Sequence, residues 1–144
     1  YHFLFNVNVF GVFVLCREAI AHLIKSKGNV VNVSSNAATA ATSYSVLYSG
    51  TKGAVDSMTR SLALEFGHHG VRFNVVAPGT VVTDMTTKVD MPEGVNAEKL
   101  KRQAALSGDF GTPDQIASLV AFLGSDDAGY INGEVVRADG GGTV

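Results

Sequence analysis

Three short apolar runs punctuate the chain: Asn29 to Ser34, Val71 to Ala77 and Gly133 to Ala138. Each is rich in valine and bounded by Gly, Ser or Pro. Short continuous apolar runs of this kind predict strands buried on both faces, as in a parallel sheet. Between them the pattern lengthens to a helical period. Asn6 to Lys27 predicts a first helix, closed by Lys25, Lys27 and Gly28. A second is predicted from about Leu47 to Phe66, with Val55, Met58, Leu62 and Phe66 on one face. A third begins at Thr112, an N-cap followed by Pro113 in the first turn and by Gln115, which completes a capping box. Ile116, Leu119, Val120 and Leu123 supply its apolar stripe.

Strand, helix, strand, helix, strand is the order of crossover units on a parallel sheet. The fold class is therefore α/β, a Rossmann-like doubly wound parallel sheet. Such nucleotide-binding sheets have about six strands, and three strands with crossover helices are only half of one. Val82 to Ser107 follows neither period and carries Pro92, Gly94 and several charges. A polar excursion of this length after a strand is expected to be a lid or binding loop that orders around a ligand.

Composition narrows the function classes. The 144 residues suffice for one compact domain, with 46% hydrophobic and 17% charged residues in ordinary globular balance. A net charge of −2 speaks against a nucleic-acid partner, which calls for a clustered basic excess. Cys16 is the single cysteine, so no internal disulfide forms; it fits a reducing, cytoplasmic setting and reads as a buried, inert thiol. The chain opens without Met, directly into an apolar run from Tyr1 to Cys16. No basic region precedes that run, as a signal peptide requires. Asn6 and Asn8 interrupt it short of the roughly 20 apolar residues of a membrane span. The expectation is a chain that starts inside a buried helix, with no membrane partner and with an N-terminal half lying upstream.

Tyr48 and Lys52 are the leading candidates for chemistry. Residues four apart share a helix face. A phenol titrates near pH 10 and is a poor acid at neutral pH, but a fixed cation beside it stabilises the phenolate. The pair thus makes a sensible proton donor and acceptor. Taken alone, such a pair is more often a packed Tyr beside a solvated Lys. Ser34 and Ser35 change the balance. They end a predicted strand, where open α/β sheets hold their ligands, and a hydroxyl there can steady a carbonyl oxygen. Ser34 is assigned only to the strand-end turn.

The ordered set is similar to the short-chain dehydrogenase/reductase family over nearly the whole chain. Val7-Asn8-Val9-Phe10-Gly11 resembles that family's Asn-bearing helix segment, and Asn32-Val33-Ser34-Ser35 the strand that delivers its serine. The step of 13 residues to Tyr48 selects Ser35. Tyr48 to Lys52 resembles the Tyr-x-x-x-Lys signature, and Val71 to Gly79 the next strand with its Pro-Gly turn. Thr83, Thr112-Pro113-Asp114, Phe122 to Ser125, Gly133 and Asp139-Gly140-Gly141 follow in order.

The resemblance implies an oxidoreductase moving hydride between NAD or NADP and an alcohol or carbonyl. Tyr48 would be the general acid/base, Lys52 would hold the nicotinamide ribose and favour the phenolate, Ser35 would orient substrate, and Asn8 would hold a water linking Lys52 to solvent. Pro78, Gly79, Val81 and Thr83 would line the nicotinamide end, with Tyr48 and Lys52 also touching cofactor. A homodimer or homotetramer is implied, and apolar residues on more than one face of the first two helices point the same way. The family's glycine-rich phosphate turn is not in this stretch, so the resemblance implies that the three strands are the C-terminal half of the sheet. Gly140-Gly141-Gly142 follows a strand but opens no helix, so it offers no anion site of that kind. A non-catalytic nucleotide-binding relative, or an inactive truncated product, is the alternative; the intact Asn8, Ser35, Tyr48 and Lys52 set favours the enzyme. No metal-ligand spacing accompanies His68-His69, which read as a helix end. Asp126-Asp127 reads as a solvated helix exit, and the Asn32-Val33-Ser34 sequon falls on a buried strand.

Overall fold

A computed structural model describes residues 1–40, 42–88, 93–96, 98, 99 and 105–144. Three parallel strands, β1 (Asn29–Val33), β2 (Arg72–Pro78) and β3 (Val135–Ala138), form one sheet in the order β1-β2-β3. Val30 pairs with Phe73, and Val76 with Val136.

The chain enters through helix α1 (His2–Phe5), a π-helical turn over Asn6–Gly11, and α2 (Val12–Ser26). These run on as one helix. The turn out of it places Lys27, rather than Gly28, in the left-handed region at φ 51°. Helix α3 (Val46–Phe66) links β1 to β2. A short α4 (Asp84–Thr87) and α5 (Pro113–Gly124) lie between β2 and β3. The capping box at α5 forms as expected: Thr112 Oγ1 accepts from Gln115 N, and Gln115 Oε1 accepts from Thr112 N.

Alternate residues of β2 face opposite layers. Phe73 and Val71 pack with Cys16, Ala63, Ile20, Leu23 and Phe66 from α2 and α3. Val76 packs with Leu123, Ala128, Ile116, Leu119 and Val120 on the α5 side. Helices therefore cover both faces, as in a doubly wound sheet. Cys16 is buried, and burial pushes its thiol pKa up, in keeping with an inert packed thiol.

Three sequence expectations need correction. Only β2 is fully buried in its middle; β1 and β3 are half-buried, and Val33 is 49% exposed. The physical reason is position, because β2 alone has a neighbour on each side. The first helix starts at His2 rather than about Asn6, and the helix His2–Ser26 is long and apolar enough to cross a membrane by length and composition, Asn6 and Asn8 notwithstanding. In this fold its inner stripe of Val12, Cys16, Ile20, Leu23 and Ile24 packs onto the α3–sheet layer. The last strand starts at Val135 rather than Gly133, since Gly133 turns at φ 78° and Glu134 N donates to the Asn74 side chain. Of the expected lid over Val82 to Ser107, residues 89–92, 97 and 100–104 lie outside the described residues.

Candidate active site

The carboxyl ends of the three strands converge on one edge. Ser34 N continues the ladder by donating to Val76 O at 2.8 Å, and Gly79 N donates to Ala138 O at 3.0 Å. Gly79 is required here by close approach: a Cβ would sit 2.7 Å from Asp139 Cβ and 2.8 Å from its Cα. Asp139 accepts from Thr143 Oγ1, Gly141 N and the Asn36 side chain. Burial opposes its charge, but these hydrogen bonds and Arg137 outweigh it and hold the carboxyl below the usual carboxylate range.

Tyr48 and Lys52 leave the first turns of α3 from one face. The Lys52 Nζ lies 5.7 Å from the Tyr48 ring centroid and donates to Val33 O at 3.0 Å. An ammonium has three donors, so two remain for a ligand. Burial pulls the Lys52 pKa down, and the negative charge of Asp56 pushes back. Ser34, 3% exposed, ties the strand end to the helix by donating to Lys52 O at 3.1 Å.

Ser35 is extended at φ −162° and accepts from Ala37 N at 3.2 Å, capping the short turn Asn36–Ala38. That turn packs against α3, which brings the serine's element to the Tyr–Lys helix. The bond uses a lone pair and leaves the hydroxyl proton to donate. Asn8 sits within the π-helical turn, a local widening that often re-aims a side chain at a functional site. Its Nδ2 donates to Thr51 Oγ1 at 3.1 Å, and Thr51 in turn donates to Tyr48 O at 2.7 Å. Asn8 is thus joined to the residue between Tyr48 and Lys52, with its Oδ1 still an acceptor.

The remaining positions follow the exit of β2. Pro78 ends that strand, and Val81 forms an isolated parallel bridge with Gly111. Thr83 is the N-cap of α4, with its N–H bonded to Thr86 Oγ1 at 3.0 Å. The structure gathers Asn8, Ser35, Tyr48, Lys52, Pro78 and Gly79 at the strand ends. A shallow depression lined by Gly67, Gly70, Arg72 and Tyr130 lies at the opposite end of the sheet and contains none of them. Asn32 Nδ2 is bonded to Thr59 Oγ1 at 2.9 Å, so the sequon asparagine is engaged in the interior.

Sequence reasoning missed two residues at the site. Thr51, fully buried, carries the link from Asn8 to α3. Asp56, 3% exposed, lies one turn beyond Lys52. A polar residue inside the apolar stripe of α3 marked the position of Thr51, though not its link to Asn8; Asp56 lies off that stripe, beside Lys52, and carried no such signal.

A parallel sheet covered on both faces, with a Tyr-x-x-x-Lys helix and a serine at its carboxyl edge, defines a Rossmann-like α/β class. Within it the chain belongs to the short-chain dehydrogenase/reductase family: a family model described as enoyl-(acyl carrier protein) reductase matches residues 1–143. The meso-2,3-butanediol dehydrogenase of Serratia marcescens is 39% identical over 139 residues, covering 96% of this chain and 54% of that protein. The crystal structure of a Caenorhabditis elegans short-chain dehydrogenase/reductase with cofactor is 34% identical with a TM-score of 0.80, covering 94% of this chain and 52% of that one. A 4-hydroxyisoleucine dehydrogenase complexed with NADH is 29% identical with a TM-score of 0.82, covering 95% of this chain and 56% of that one. The chain spans about half the length of the curated relatives it matches.

Proposed function

We propose that this chain is the C-terminal catalytic part of a single Rossmann-fold domain, in a cytoplasmic oxidoreductase that transfers hydride between NAD or NADP and a small or medium alcohol or carbonyl compound. The observation that carries the reading is the Tyr48–Lys52 pair, held by Val33 O at the carboxyl edge of the sheet. The relatives named above as a butanediol dehydrogenase and as an NADH complex support the substrate and cofactor classes.

The residues present fit the nicotinamide-ribose end of such a cofactor. Lys52 would hold the ribose hydroxyls with its two remaining N–H groups, and Pro78, Gly79, Val81 and Thr83 would flank the nicotinamide. Bound there, the cofactor supplies or takes the hydride. The chain's own residues manage the oxygen and its proton. In reduction, the Tyr48 hydroxyl gives its proton to the carbonyl oxygen while Ser35 donates a hydrogen bond to the same atom. Lys52 offsets the negative charge left on the phenol oxygen. Asn8, kept in place by Thr51, would order the water that returns a proton from solvent. In oxidation each transfer reverses. The outer surfaces of the first helix and α3 would pair with a second copy in a homodimer or homotetramer.

The test is a panel of secondary alcohols and ketones with the full-length protein, following nicotinamide absorbance with NAD(H) and NADP(H). Turnover of at least one pair supports the reading. Cofactor binding without turnover across the panel favours the non-catalytic alternative.

A further inference from the structure

We propose that Asp56, a buried carboxylate one helical turn beyond Lys52, is a positioning residue that sets the electrostatic field on the Lys52–Tyr48 pair. The inference rests on the oxidoreductase reading for its effect on rate, but not for its effect on Lys52 itself.

Asp56 is 3% exposed, and its Oδ1 is buried with no hydrogen-bond partner. An incompletely satisfied carboxylate in an interior is costly. An apolar residue would join the buried Thr59 and Ala63 on the same side of α3 without that cost. The charge is therefore not explained by packing. Its surroundings are specific. Lys52 stands one turn before it and Arg60 one turn after, both on α3, and the Ser34 hydroxyl faces it from the end of β1. No other charge among the described residues bears on it from the elements packed against α3.

Ser34 bonds to Lys52 O, and Lys52 Nζ bonds to Val33 O. Strand end, lysine and carboxylate thus form one packed unit behind the phenol. Burial disfavours the charged form of both groups, lowering the Lys52 pKa and raising that of Asp56; Asp56 offsets the first, and the Ser34 hydroxyl, Arg60 and then Lys52 offset the second. Asp56 keeps the half-buried amine charged and tempers the positive field it projects onto Tyr48. No ion pair joins the two directly, so the coupling acts through space.

The full-length protein tests this in two ways that do not depend on each other. The pH dependence of Lys52 acylation, read by peptide mass spectrometry, gives the amine's midpoint without any turnover. The pH profile of kcat/KM gives the limb set by the pair. Asp56→Asn should lower the Lys52 midpoint by about one unit and move the alkaline limb down with it. Asp56→Glu should restore both. An unchanged midpoint in a folded Asp56→Asn protein, whatever happens to rate, overturns the proposal and leaves Asp56 as a packing residue. Should Asp56→Asn not fold, Lys52→Met provides the reciprocal reading, since coupling between two sites is mutual. The Asp56 carboxyl, followed by carbon-13 NMR, should then titrate about one unit higher than in wild type; no shift overturns the proposal equally. A moved midpoint in a protein without turnover supports Asp56 and counts against the oxidoreductase reading alone.

Discussion

Asp139 turns its carboxylate back onto the chain just after the last strand and ties Thr143, Gly141 and Asn36 together at the site's edge. Its folded-state pKa lies below the ordinary 3.8, so the unfolded chain takes up a proton first as pH falls. The stabilisation is whole above that ordinary value and is lost as pH drops through the lower folded value. Asp139→Asn should cost roughly 1 kcal/mol at neutral pH, and the difference should vanish in strong acid. Urea denaturation of both proteins from pH 7 down to about pH 2.5 checks it; a constant gap would remove the charge from the explanation. At this scale the placement of Ser35 after the first strand and of Tyr48 and Lys52 on α3 was legible, while their chemical roles rest on the resemblance. Thr51 and Asp56 were not legible as site residues. Their roles come from what the fold places behind them, Asn8 for one and Ser34 for the other, which no local pattern carries.

Helix boundaries were legible where the signal is local. Thr112, Pro113 and Gln115 specify the start of α5 within a single turn, and both bonds of the capping box form. Thr112→Ala should destabilise the protein by about 1 kcal/mol. Its effect on cofactor binding should be smaller, reaching the site only through the bridge of the neighbouring Gly111 to Val81. Thermal unfolding and cofactor titration check the pair of outcomes. The π-helical turn over Asn6–Gly11 was not legible. Its apolar spacing fits an ordinary helix, and the bond from Asn8 to Thr51 lies 43 residues away in sequence. Strand burial was overestimated for the same reason. A Val-rich run states that a strand wants two covered faces; its neighbours in the sheet decide whether it has them.

The whole molecule shows where further contacts belong. Phe3, Phe10 and Leu15 on the first helix and Leu64 on α3 stand exposed, Leu64 at 87%. Soluble monomers seldom leave large contiguous apolar patches open, and a two-fold axis can bury paired helices against their copies. The full-length protein should therefore sediment as a dimer or tetramer, and Leu64→Glu should lower its mass by at least half. A fully active wild-type monomer would sink this expectation. The three-strand sheet and its helices on both faces were legible from the order of runs alone, whereas this outer surface was legible only in part, since apolar periodicity does not say which face meets the sheet. The Tyr48 proton is the centre of the proposed chemistry. The measurement that reaches it most directly compares Tyr48→Phe with wild type in the full-length protein, recording kcat and the cofactor Kd together. The expected result is a loss of about a thousandfold in kcat with cofactor affinity nearly unchanged; turnover close to wild type would contradict the assignment.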